Sequence, residues 1–249
     1  MSSNAVVIDI GNSRIKIGVY HGGSFVKNMS CGHDQFNPLK LIQDDLVPVG
    51  GAKQFRWVLA GVVPKVVHVV REALVQLGQN VCLLENAFQI GVKLSVDEPE
   101  KVGVDRLLAS KAAYYLGGGS PCMVVDAGTA LTINWMDANG VFQGGSIQPG
   151  WDLMAKALGA GTARLPEVEL PDSMRVEWPA KNTRKAIQVG IGLAMVGAVE
   201  HCWDIVLKRE PAAVLWITGG GGDLLKGGFV SDARFHPNLV LEGMILATR

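Results

Sequence analysis

The sequence predicts an α/β protein built from two related lobes, and three observations carry that prediction. Apolar strand-like runs alternate along the chain with segments in which apolar residues recur at helical spacing. A glycine-rich run, Gly117-Gly118-Gly119-Ser120-Pro121, interrupts the chain near its middle. Just past that run the opening pattern begins again, the mark of an internal duplication. With 249 residues, 48% of them hydrophobic, the chain can bury a core for one large domain or two modest ones. The expected lobes are residues 1–119 and 120–249.

Taken in order, Ala5 to Ile10 is an apolar run, Gly11-Asn12-Ser13 is turn chemistry, and Ile15, Ile17 and Val19 alternate with Arg14, Lys16 and Gly18. This predicts a β-hairpin. Gly22-Gly23 makes a second turn, and Ser24 to Ser30 supplies a third strand. A short helix is expected near Leu39 to Leu46, a strand at Arg56 to Ala60, and a helix where Val66, Val70, Leu74 and Leu77 recur. A further helix, Val104 to Leu116, carries Leu107, Leu108, Ala112 and Tyr115 on one side and stops at the glycine run.

The restart is the most informative feature. Val7-Ile8-Asp9-Ile10-Gly11-Asn12-Ser13 corresponds to Val124-Val125-Asp126-Ala127-Gly128-Thr129-Ala130, and the second copy reaches its next turn, Asn139-Gly140, at a distance similar to Gly22-Gly23. A glycine two residues after a strand-end aspartate lets backbone approach a phosphate, while amides and the next polar side chain supply donors. One such Asp-x-Gly alone reads as a hairpin turn; its repetition favours two phosphate loops. Facing lobes would bring Asp9 and Asp126 towards one cleft, where a polyanion such as ATP is gripped from both sides and the aspartates hold Mg²⁺ or another cation.

Lys16, in the strand after the first loop, can reach a β- or γ-phosphate or stand in solvent. Val214 to Thr218 runs into Gly219-Gly220-Gly221-Gly222-Asp223, where bare backbone can face an adenine ring or form a mobile connection. Phosphoryl transfer to an alcohol needs a carboxylate to accept the hydroxyl proton. Asp105, at a helix start between Gly103-Val104 and Arg106, is the foremost choice, with helix capping as its structural alternative.

Other features point elsewhere or nowhere. Lysine plus arginine (23) equals aspartate plus glutamate (23), so no summed field draws the surface onto nucleic acid or an acidic membrane. The N-terminal apolar run has no basic start and meets Asp9 too early for a secretory signal. The longest weakly polar stretch, Gly190 to Val199, falls short of the ~20 residues of a membrane span. A cytoplasmic protein is expected, with neither nucleic acid nor membrane as partner. Cys31, Cys82, Cys122 and Cys202 form no CxxC pair, and His21, His33, His68, His201 and His236 show no ligand spacing. Gly190, Gly192 and Gly197, with Ala194 and Ala198, suggest close helix packing along a helix from Asn182 to Val206 at a lobe or subunit interface. The six tryptophans read as core or interface.

In order along nearly the whole chain, these motifs resemble the type III pantothenate kinases of the acetate and sugar kinase, Hsc70 and actin superfamily. The resemblance rests on Asp9-Ile10-Gly11-Asn12-Ser13-Arg14-Ile15-Lys16, Val62-Val63-Pro64, Pro99 to Arg106 and Asp126-Ala127-Gly128-Thr129-Ala130. Further matches are Gly144-Gly145, Pro149-Gly150, Thr162-Ala163-Arg164-Leu165-Pro166, Asn182-Thr183 with Ala186-Ile187, Thr218-Gly219-Gly220 and His236-Pro237-Asn238-Leu239. It implies two ribonuclease-H-like lobes, a homodimer whose interface helps complete the substrate pocket, and phosphorylation of pantothenate by ATP, the first step of coenzyme A synthesis. By the same resemblance, Asp105 is the proton acceptor, and Gly103, Val104, Arg106 and Thr183 contact pantothenate. ATP lies on the residues from Asp9 to Lys16 and on Thr129, and Asp126 binds a monovalent cation, K⁺ or NH₄⁺; Mg²⁺ with ATP at Asp9 is the expectation from the loop chemistry above. Val96 departs from the family, which commonly has a tyrosine there; valine cannot donate that phenolic hydrogen bond. The alternatives are a kinase of the same fold for another small alcohol or sugar, or a silent nucleotide-binding regulator.

Overall fold

The computed structural model describes residues 4–46, 51–174, 177–228 and 232–249. The chain opens with the meander β1 (Ala5–Ile10), β2 (Ile15–His21) and β3 (Ser24–Cys31), followed by α1 (Pro38–Lys40), whose last turn continues as a π-type segment to Leu46. Then come β4 (Arg56–Gly61), α2 (Pro64–Gln76), β5 (Val81–Leu84), α3 (Ala87–Ile90), the two-residue β6 (Lys93–Leu94) and α4 (Val104–Leu116). A second meander follows: β7 (Cys122–Ala127), β8 (Ala130–Met136) and β9 (Val141–Pro149). The chain closes with α5 (Trp151–Gly161), α6 (Thr183–Arg209), β10 (Val214–Thr218), α7 (Gly222–Lys226), β11 (Arg234–Phe235) and α8 (Leu239–Ala247). The opening hairpin, β4, α2, α4, β7 and β10 stand where the sequence puts them. The segment 81–94 goes unassigned in the sequence, because β5 and α3 are four residues each, too short to express a period.

The duplication is a duplication of topology. One sheet has the order β3-β2-β1-β4-β5, and the other β9-β8-β7-β10-β11 with β6 at the β9 edge. In each, an antiparallel meander is extended by two parallel strands on the far side of its first strand: β1 pairs β4 and β4 pairs β5, as β7 pairs β10 and β10 pairs β11. The central strands β1 and β7 read as continuous apolar runs because both of their faces are covered.

Packing divides the chain into two compact units. Unit 1 comprises Met1–Lys93, Asp97–Ala112 and Val240–Arg249; unit 2 comprises Leu94–Val96 and Ala113–Leu239. The divide therefore lies inside α4, ahead of the glycine run at 117–119, and the C-terminal helix belongs with unit 1. Gly243 explains the latter. A Cβ there would strike the Leu108 backbone, so α8 lies directly on α4 only because the residue is glycine. Arg56 donates to the Thr248 carbonyl, and Arg249 Nη2 donates to the Tyr20 hydroxyl at 3.1 Å, which ties the same tail to the first sheet.

The unit 1 core joins Ile8, Ile10, Ile15 and Ile17 to Trp57, Leu59, Val70 and Leu74. In α4, Leu107, Leu108 and Ala112 are buried as their spacing predicts, but Tyr115, one turn later, is 59% exposed. The unit 2 core sets Met123, Val125, Leu131 and Ile133 against Ile187, Ile191, Met195, Val199 and Trp203 of α6. That helix is long and apolar enough to cross a bilayer by length and composition, more so than the stretch Gly190 to Val199 suggests, but its apolar face is part of this core. Among the described residues, two of its three glycines have open space where close helix packing is expected. Added Cβ atoms at Gly190 and Gly197 would meet nothing within 4 Å, whereas Gly192 is on the buried side. Of the tryptophans, Trp57, Trp151, Trp203 and Trp216 are buried, while Trp178 is exposed. No disulfide forms among the described residues; Cys122 is buried and Cys82 exposed.

Candidate active site

The first phosphate loop grows out of strand register. Ile10 pairs with Ile15, so the residues between them, 11–14, form the hairpin loop, and one pair inwards Asp9 lies opposite Lys16. Directly opposed residues of an antiparallel pair share a face, so the carboxylate and the ammonium of this strand pair lie on the same side of the sheet. Asp9 is buried and Lys16 half-buried. The Gly11 N–H donates to the Arg14 carbonyl at 3.0 Å and closes the loop. Asn12, Ser13 and Arg14 are exposed, whereas Ile10 and Ile15 have no exposed surface and serve the core. Arg14 turns back onto β3: its Nε donates to Ser30 Oγ at 2.8 Å and its Nη2 to the Ser30 carbonyl at 3.0 Å. On the other side of the loop, His33 Nε2 lies 2.9 Å from the Gly11 carbonyl.

The sequence gives no warning of His33. It bonds to backbone rather than to a metal or to another side chain, and such a bond leaves no spacing signature.

Asp105 sits in the first turn of α4 on the same unit. The chain reaches it through a series of close approaches. The end of β4 lies beside the end of β1: the Val62 N–H donates to the Ile10 carbonyl at 2.9 Å, and a Cβ on Gly61 would come within 2.6 Å of the Ile10 Cβ. Val62 in turn borders Gly103, and a Cβ on Gly103 would press on Asp105 Oδ1 at 2.6 Å. That carboxylate oxygen accepts the Arg106 N–H at 2.8 Å. The first turn of the helix thus fixes the group without making it the cap residue.

Burial is the largest influence on Asp105 and holds its carboxyl above the ordinary carboxylate range, against the opposing pull of the Arg106 N–H, the Arg106 guanidinium and Lys16. Unit 1 therefore brings Asp9, Lys16, Gly103, Asp105 and Arg106 into one neighbourhood. A half-buried carboxylate with a raised pKa, flanked by two cations, is equipped to take a proton from an alcohol.

The second loop has the same plan and a tighter build. Ala127 pairs with Leu131, leaving only 128–130 between them, and the Gly128 N–H donates to the Ala130 carbonyl at 3.0 Å. Two glycine segments close on it from outside. The Gly150 N–H donates to the Thr129 carbonyl and the Gly221 N–H to the Ala127 carbonyl, each at 2.9 Å. Cβ atoms at Gly150 or Gly219 would collide with the backbone at Gly128 or Ala127, and one at Gly219 would also strike the Asp126 carboxylate. Gly219 has φ +91°, a left-handed conformation that glycine adopts freely. Asp126 is half-buried and Thr129 exposed.

Unit 2 also carries a groove of about 630 Å³, lined mainly by apolar side chains of α5 and α6, with Thr183 and Pro149 also in its lining. Pro149 pairs with Ala130, so one residue of the groove lining adjoins the second loop. Thr183 is the first residue of α6, and Asn182 is its cap, accepting the Lys185 N–H at 2.9 Å. Val96 lies beside Gly144, whose added Cβ would meet Val96 Cγ1 at 3.4 Å. Among the described residues no group of three or more His, Cys, Asp or Glu side chains is arranged to hold a metal.

Comparison with known proteins gives the family and the fold. A family model described as type III pantothenate kinase matches residues 5–205. The type III pantothenate kinase of Agathobacter rectalis is 30% identical over 98% of this chain and 96% of its own. That of Moorella thermoacetica is 32% identical over 96% of each chain. Among solved structures, a Baf family protein of Campylobacter jejuni superposes with a TM-score of 0.61 at 23% identity, covering 97% of this chain and 96% of its own. MreB5 of Spiroplasma citri bound to ADP gives 0.51 at 11% identity, with coverages of 98% and 95%. At these identities the structural likeness speaks for the fold, the two-lobed actin and sugar kinase type. Matched over most of its length by the family model and over nearly all of it by these relatives, the chain belongs to the type III pantothenate kinase family.

Proposed function

We propose that this protein transfers the γ-phosphoryl group of ATP to the primary hydroxyl of pantothenate, with Asp105 as proton acceptor. The observation that carries the residue assignment is the placing of Asp105, its carboxyl raised by burial, near Lys16 and beside Arg106 on the unit that bears the first phosphate loop. In the step itself, the hydroxyl oxygen bonds to the γ-phosphorus, the bond from phosphorus to the bridging oxygen of the β-phosphate breaks, and the hydroxyl proton passes to Asp105. The products are 4'-phosphopantothenate and ADP. Lys16 offers its ammonium to the phosphates. Arg106 offers a planar fork that suits the pantothenate carboxylate, with Gly103 and Val104 beside it and Thr183 as a hydroxyl donor.

The loops at Asp9 and at Asp126 with Thr129 hold ATP phosphates. Asp9 would supply a carboxylate oxygen of the kind Mg²⁺ takes, and Asp126 would ligate K⁺ or accept a hydrogen bond from NH₄⁺. Mg²⁺ arriving with ATP supplies charge neutralisation on the phosphates. A homodimer accounts for the exposed stripe Ala186, Gly190, Leu193, Ala194 and Gly197 on α6, which no part of this chain covers among the described residues. A cytoplasmic location suits a family of soluble metabolic enzymes.

The test is purified protein with ATP, K⁺ and a panel of small alcohols. ADP formation that requires pantothenate is expected. Turnover of a different acceptor would replace pantothenate as the substrate, and ATP binding with no acceptor phosphorylated would favour a regulatory role.

A further inference from the structure

We infer that His33 is a positioning residue for the ATP phosphates, acting through the first loop. The argument begins with the peptide bond. Because the unit joining Gly11 to Asn12 is planar and trans, its C=O and N–H point in opposite directions. A backbone carbonyl can only accept, so the His33 ring nitrogen 2.9 Å from the Gly11 oxygen is the donor. Holding that oxygen towards His33 turns the Asn12 N–H the other way. The Asn12 N–H has no hydrogen-bond partner among the described residues, and Asn12 is exposed. The loop's own closure is already satisfied by the Gly11 N–H on the Arg14 carbonyl. What His33 adds is the orientation of one outward N–H, the kind of group that binds a phosphoryl oxygen when successive loop amides converge.

His33 is itself well placed for this. It opens the short turn His33–Gln35 at the end of β3, and that turn is closed by the Gly32 N–H on Gln35 Oε1 at 3.1 Å and the Gln35 N–H on the Gly32 carbonyl at 3.2 Å. The imidazole thus comes from a braced support rather than from a swinging loop, and it is half-buried.

The inference rests on the reading of residues 11–14 as a phosphate loop, and the experiment separates the two. Wild type, His33→Phe, His33→Gln and Lys16→Ala are compared for binding of a non-hydrolysable ATP analogue by calorimetry without acceptor, for KM of ATP and of pantothenate, and for melting temperature. Phenylalanine keeps the ring and removes the donor; glutamine restores an N–H. We expect His33→Phe to weaken the analogue and raise the ATP KM by about two- to ten-fold, the range of one hydrogen bond. The pantothenate KM and the melting temperature stay, and His33→Gln recovers most of the loss. If Lys16→Ala weakens the analogue but His33→Phe does not, His33 has no such role while the loop reading stands. If neither does, both fall. Equal losses in the Phe and Gln variants, or a matching rise in the pantothenate KM, also overturn the inference.

Discussion

The two loops that follow β1 and β7 share a topology and differ in how they are held. The first has four residues and is pinned by side chains from β3 and the turn after it, Ser30 on Arg14 and His33 on Gly11. The second has three and is pinned by backbone, Gly150 on Thr129 and Gly221 on Ala127, with Gly219 pressed against Asp126. A side-chain latch can be replaced or removed at the cost of about one hydrogen bond. A glycine whose Cβ site is occupied by another backbone has no tolerant substitution. The units differ in chemistry as well: the first loop shares its unit with Asp105, Lys16 and Arg106, the second with Asp126 and an apolar groove.

The sharpest break in this comparison is the pair Asp105→Asn and Asp126→Asn. Loss of a general base lowers kcat by about 10²- to 10⁴-fold, and we expect that of Asp105→Asn with its ATP binding intact. Asp126→Asn should instead weaken ATP binding and change the dependence on K⁺, leaving a larger fraction of kcat at saturating ATP. Steady-state kinetics with and without K⁺ decide it; equal losses of kcat in the two variants would erase the division of labour.

The same carboxylate sets two pH dependences. Its pKa is raised in the fold, so the base loses its proton only above the ordinary carboxylate range, and the acid limb of kcat/KM should lie higher than a free carboxylate's value near ~4. Folding stability runs with the opposite sign. The native state binds this proton more tightly than the unfolded chain, so the contribution is full below the unfolded pKa and disappears as pH rises through the folded one. Asp105→Asn, which has no charge to bury, should therefore melt at or above the wild-type temperature at pH 7 while lacking the acid limb. A lower melting temperature for that variant would show that the ionised group is a structural asset.

Next in size comes the contrast between glycines. Gly150→Ala should cost about 1–3 kcal/mol of stability by overpacking and weaken ATP, because the methyl group meets backbone at Gly128 and Thr129. Gly11→Ala meets one carbonyl, that of Arg14, at 3.3 Å, which a few tenths of an ångström relieve. Denaturant unfolding of both variants checks the order; a milder Gly150→Ala would mean that the second loop yields as readily as the first.

What could be read in the sequence follows from what leaves a periodic or repeated mark. The repeat of Asp-x-Gly on two strands exposed the duplicated sheet, and the spacing of Leu107, Leu108 and Ala112 gave α4. Tyr115 has the right spacing and is exposed all the same, since a period defines a face but not how far the neighbouring layer extends. The membership of α8 in unit 1 depends on Gly243 lying against Leu108, a contact between residues distant in the chain with no local pattern. At the site, Asp9, Lys16 and Asp105 could be named because their side-chain chemistry is scarce and their positions are strand ends and a helix start. His33, Gly150 and Gly219 act on backbone. The two glycines at least stood inside recognisable Pro-Gly and Thr-Gly-Gly sequences, whereas His33 had only its identity, and a search for metal spacing passes over it.

Arg14 gives the smallest effect and separates two roles that the sequence merges. As part of the first motif it reads as an ATP contact, yet its guanidinium is engaged by Ser30 through both Nε and Nη2. Both partners lie at the surface, where one such bond is worth little net free energy. If Arg14 is a latch, Ser30→Ala leaves the bond to the Ser30 carbonyl, and the ATP KM should move by no more than about two-fold. Arg14→Ala should do slightly more without changing the slope of ATP affinity against salt, since no phosphate contact is lost. If Arg14 instead swings onto the phosphates, Arg14→Ala will raise the ATP KM by about ten-fold or more, as loss of a charge-assisted bond does, and Ser30→Ala will tighten ATP by releasing the guanidinium. The sign of the Ser30→Ala effect therefore decides whether the first loop is held by two side chains or by His33 alone.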